Sequence, residues 1–133
     1  MALLKSLLIT AIIFIVLDML WLGIVAKKIY IHYLGGALRL NNTNIDVNWG
    51  AAFLVYIALI AGILLFVIPK AAGSPILALL YGAIFGFVTY VTYDCTNLAV
   101  LRNWSIIITV IDVLWGMIIC SVTSAISVWI CSL

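Results

Sequence analysis

Residues 105–129 read SIIITVIDVLWGMIICSVTSAISVW. Only Asp112 in this stretch is charged, and the apolar side chains fall on every side of a helical projection instead of forming one stripe. With a rise of about 1.5 Å per residue, the run is long enough to cross a hydrocarbon core of about 30 Å. The strands of a membrane barrel would show short alternations of apolar and polar residues, which are absent here. A helix satisfies its own backbone hydrogen bonds, so an all-apolar run predicts a membrane-spanning helix.

Three further runs have the same character: Ser6 to Ala26, Gly50 to Ile68 and Ile76 to Leu101. Asp18 interrupts the first, which also lacks a small-x-small cleavage pattern, so it reads as a mature helix and not as a signal peptide. Lys27 and Lys28 close it, their stems suited to snorkelling toward headgroups. Pro69, Gly73, Ser74 and Pro75 predict a tight turn between the second and third runs, and Arg102 to Trp104 a turn before the fourth. The sequence therefore predicts an all-α integral membrane protein, an antiparallel bundle of four transmembrane helices forming a single domain over residues 1–133. The segment 27–49 is the one sizeable loop. Its first half, with Tyr30 and Tyr33 among aliphatics, reads as an interfacial turn that Gly35 and Gly36 would end.

Bulk composition agrees: 68% of the 133 residues are hydrophobic and 8% charged, with a mean hydropathy of +1.42. A soluble domain carries about 25% charged residues. The net charge of +2 is dispersed along the chain, which excludes a nucleic-acid footprint. Cys95, Cys120 and Cys131 show no CxxC spacing and read as small buried hydrophobes, not as a disulfide framework or metal cluster. Lys27, Lys28, Arg39 and Arg102 lie on one side of the membrane, and Lys5 and Lys70 on the other. The positive-inside rule then puts the first loop in the cytoplasm.

The chemistry concentrates in the acidic residues, all aspartates. Three of the four, Asp18, Asp94 and Asp112, fall within apolar runs, where insertion scales set the cost at about 2.5 to 3.5 kcal/mol each. Counted from the side shared by Lys27 and Arg102, each lies about 12 to 15 Å from the same interface. One polar layer is expected there. In the third helix Gly82, Gly86, Tyr90, Asp94 and Asn97 recur at helical spacing, so that face looks inward; Thr89, Thr92, Tyr93 and Thr96 add polar groups around Asp94. Leu17-Asp18-Met19-Leu20-Trp21 and Ile111-Asp112-Val113-Leu114-Trp115 repeat one pentad on two helices of opposite direction, each supplying a carboxylate with an indole N–H one turn away.

The expected site is a cavity lined by Asp18, Asp94, Asn97 and Asp112, flanked by Trp21, Tyr90, Tyr93 and Trp115. Carboxylates clustered in hydrocarbon hold a positive charge or share protons, so the leading expectation is binding or passage of a cation, proton or small ligand. No cofactor is called for. A second expectation is a membrane enzyme or enzyme subunit acting on a lipid-like substrate, its aspartates serving acid-base chemistry or holding Mg²⁺. A third is a structural or assembly role, with protonated aspartates tying helices together. His32 sits beside the layer's side of the membrane and reads more readily as a solvated side chain than as a proton shuttle. Trp49 and Trp104 read as interfacial belt residues. Four short helices make a thin wall for a pathway, so a dimer is expected.

The blocks Asp18 to Gly23, Tyr93 to Ala99 and Asp112 to Gly116, with Asn48-Trp49 opening the second helix, resemble the signature blocks of a bacterial membrane family known as domain of unknown function 2177. That resemblance covers nearly the whole chain and implies a four-span inner-membrane protein.

Overall fold

The computed structural model describes residues 2–42 and 44–133. Four helices dominate it: α1 (Ala2–Leu34), α2 (Trp49–Ala71), α3 (Pro75–Val100) and α4 (Ile106–Ser132), all long and apolar enough to cross a membrane. A two-stranded hairpin in the first loop, β1 (Leu40–Asn41) against β2 (Asn44–Ile45), is the one small exception among the described residues. Neighbouring helices run antiparallel, and so do α1 and α4: Ser6 meets Cys131 at 3.4 Å, Thr10 donates to Ser127 at 3.0 Å, and Trp115 donates to Asp18 at 3.2 Å.

Helix α1 does not stop at Lys27. It passes through a π-helical stretch, Trp21–Ala26, and continues to Leu34, where Gly35 and Gly36 end it. The segment read as an interfacial turn is therefore the last part of the first helix. Helix α2 likewise runs beyond Pro69 to Ala71, although the sequence suggested an end at Ile68. The turn before the proline widens to π geometry over Ile63–Val67, which relieves the clash between the proline ring and the preceding turn. Ala72 (φ 49°) and Gly73 (φ 80°) then reverse the chain in the left-handed region. Ser74 and Ser105 cap α3 and α4, accepting from the backbone N–H groups of Leu77 and Ile108.

The bundle is apolar outside and buries polar groups among its apolar core within. Leu3, Ile24 and Ile76 are each at least 73% exposed, whereas Thr10, Thr123, Ser124 and Ser127 are fully buried. Helices α3 and α4 pack most closely, because Gly82 and Gly86 let the backbones touch: a Cβ at Gly86 would strike the Gly116 carbonyl, and one at Gly82 would strike Cys120 and Ser121. Phe14, Ile60, Ile63 and Ile119 fill the space where α1, α2 and α4 meet. Of the cysteines, Cys120 is buried, but Cys95 is exposed on the outer face of α3, contrary to expectation, because Asp94 beside it takes the inward position.

Candidate functional site

Regular helix at 3.6 residues per turn would leave Tyr30 about 120° around α1 from Asp18. The π-helical stretch between them advances less per residue, which swings Tyr30 back toward the bundle interior. Tyr30 is accordingly buried, and its hydroxyl donates to Asp112 Oδ1 of α4 at 2.5 Å. The same hydroxyl accepts from the Trp21 indole N–H at 3.4 Å.

Asp18 is held from two other helices. Tyr56 of α2 donates to its Oδ2 at 2.6 Å, and Trp115 of α4 donates to its Oδ1 at 3.2 Å. The two pentads therefore face each other across the α1/α4 interface. Trp21 and Trp115 stack with ring centres 4.6 Å apart and planes 9° from parallel. On one side of that stack the indole meets the opposing aspartate directly; on the other, Tyr30 intervenes. Neither indole serves the aspartate of its own pentad: Trp115 donates across the interface to Asp18, and Trp21 donates to Tyr30 of its own helix, which in turn donates to Asp112.

Asp94 is fully buried on α3, and neither of its carboxylate oxygens has a hydrogen-bond partner. It lies within hydrogen-bonding reach of Asp112. Two ionised carboxylates have no donor to offer each other, so Asp94 lacks a partner unless a proton or cation joins the pair.

A cleft of about 310 Å³ opens beside this arrangement. Asp18 and Asp112 supply its charge; Trp21, Trp115, Tyr30 and Tyr90 form its aromatic walls. Leu34, Ala37 and Leu38 line its mouth, together with Trp104, so it opens toward the first loop. Tyr93, against whose ring Trp104 stands edge-on at 6.0 Å, completes the rim. No Lys or Arg is among the described residues lining it. A second cleft of about 360 Å³ reaches Asp112 from the other side, between Val55 and Leu59 of α2 and Thr89, Tyr90 and Tyr93 of α3.

Of the expected site residues, Asp18, Asp112, Trp21, Tyr90, Tyr93 and Trp115 line the first cleft. Asp94 lies behind it, against Asp112. Asn97 is half-buried a turn further along α3 and does not line it. Thr92 and Thr96 are exposed, their hydroxyls turned onto the carbonyls of Val88 and Thr92, so they belong to the outer surface and not to the layer. His32 is exposed with its ring edge-on to Tyr33, away from the cleft. Among the described residues no cluster of His, Cys, Asp or Glu has metal-holding geometry. Sequence reasoning missed Tyr30, Tyr56 and Trp104. A tyrosine about 10 Å into the second apolar run was the available signal for Tyr56.

The family model described as predicted membrane protein (DUF2177) matches residues 3–129. No curated protein and no solved structure matches the chain.

Proposed function

The chain belongs to the predicted membrane protein family DUF2177, and we propose that it binds a cation in the aromatic cleft at the level of Asp18, Asp94 and Asp112. The observation that carries this reading is Asp94: fully buried, without a hydrogen-bond partner, and next to a second carboxylate in a site lined by no Lys or Arg. Two adjacent carboxylates at membrane depth call for a positive partner, either a proton shared by the pair or a cation in the cleft beside Asp112. The aromatic walls favour the same class, since the faces of Trp and Tyr attract cations within about 6 Å of their ring centres. Passage of the ion through a dimer, in a bacterial inner membrane, is the fuller form of the proposal.

The test is equilibrium binding of tetramethylammonium and of Na⁺ to the full chain in lipid nanodiscs. Asp112→Asn weakens binding about tenfold or more, the scale of a charge-assisted contact of about 1.5 to 3 kcal/mol. Equal binding by both proteins, or none by the native chain, removes the proposal.

A structural reading has one observation in its favour: Asp18 joins α1, α2 and α4 through Tyr56 and Trp115. It requires that asparagine at positions 18, 94 and 112 alter stability alone.

A further inference from the structure

The second cleft gives the site an opening that a small inorganic ion does not need. It shares Tyr90, Tyr93 and Asp112 with the first cleft, so both clefts border the same carboxylate. Its outer edge is formed by Val55 and Leu59 of α2. Counted from Trp49 at the start of that helix, these residues lie about 9 and 15 Å into the span. The opening therefore faces acyl chains and not water. Val55 and Tyr93 are more than half exposed at this edge, so no side chain seals it.

From these observations we infer that the ligand is an amphiphilic amine, its ammonium head held in the aromatic cleft beside Asp112, behind which Asp94 lies, and its alkyl chain leaving between α2 and α3 into the bilayer. This inference rests on the cation reading above and specifies its ligand class. Three features support it. The fully buried, unpartnered Asp94 sits against Asp112, the carboxylate that both clefts border, so the head meets negative charge there. The head-side cleft is walled by Trp and Tyr, which suit an alkylated ammonium better than a strongly hydrated metal ion. The absence of Lys and Arg from the described lining of both clefts selects against phosphate or carboxylate heads, including those of anionic lipids. A volume of about 310 Å³ is at the small end for a ligand pocket, enough for a head but not for a whole amphiphile. The chain therefore needs the second opening.

The experiment compares radiolabelled decyltrimethylammonium and tetramethylammonium, bound to the native chain and to Val55→Trp and Leu59→Trp in nanodiscs of one lipid composition. Partition into the lipid is then common to all samples and cancels. In the native protein the decyl compound binds more tightly than tetramethylammonium. Each tryptophan blocks the exit between α2 and α3 and weakens decyl binding about tenfold or more, the scale of one overpacked contact, because the chain must then crowd against the side chains of the cleft. Tetramethylammonium binding stays within about twofold of native, which also shows that the variants are folded. If the variants bind both compounds as the native chain does, or if the decyl chain adds nothing in the native protein, the inference is overturned while cation binding stands. If tetramethylammonium fails to bind the native chain, the cation reading falls and takes this inference with it.

Discussion

Trp115 on α4 donates its indole N–H to Asp18 on α1 at 3.2 Å, while its ring stacks on Trp21 of the same opposing helix. One side chain thus combines a polar tie and an aromatic contact at the depth of the carboxylates. Trp115→Phe separates them, because phenylalanine keeps a ring for Trp21 to stack on but offers Asp18 no donor. Hydrogen bonds between membrane helices average about 0.6 kcal/mol and reach about 1.7. Unfolding in mixed micelles should show a loss within that range. Trp115→Ala removes ring and donor together and should cost about 3 to 5 kcal/mol. Equal losses for the two variants would mean that the N–H contributes more than the packing.

The α3/α4 seam predicts a contrast between two glycines. A Cβ at Gly86 would run into the Gly116 carbonyl and the Met117 backbone, whereas one at Gly23 meets nothing within 4 Å. Gly86→Ala must push two backbones apart and should destabilise by about 1 to 3 kcal/mol. Gly23→Ala should leave the midpoint of thermal unfolding close to native.

Legibility from sequence followed a physical divide between depth and direction. The apolar runs and the turns at Gly73 and Arg102 located the four helices. Depth follows from residue number because helical rise is constant. Direction around the axis does not follow so simply. The π-helical stretch Trp21–Ala26 changes the phase of α1, which turned an expected interfacial Tyr30 into the partner of Asp112. Thr92 and Thr96 appeared polar enough for the layer, but threonine satisfies its hydroxyl on its own helix and so tolerates the outer face. The contact of Tyr56 with Asp18 depends on how α2 rotates against α1, which no periodicity in either apolar helix specifies.

Helix order can be tested chemically near the chain ends. Ser6 Oγ and Cys131 Sγ lie 3.4 Å apart. In Ser6→Cys, mild oxidation should join the new thiol to Cys131 and produce a reducible change in mobility on a denaturing gel. The change should disappear in Ser6→Cys with Cys131→Ser, although Cys95 and Cys120 remain. Persistence of the band would mean that α1 and α4 are not paired end to end as described.

If carboxylates from α1, α3 and α4 act as one cation site, the composition of the chain supplies its own control. The protein has four acidic residues, all aspartates, and the fourth, Asp46, lies in the first loop beside Arg39 at 3.7 Å. Solid-state NMR of the reconstituted protein, labelled with carbon-13 at aspartate carboxyl groups, can follow all four during titration with tetramethylammonium. The resonances of Asp18, Asp94 and Asp112 should shift together along one saturation curve while Asp46 stays still. Shifts confined to Asp46, or three intramembrane carboxylates that ignore the cation, would mean that no shared cation site exists.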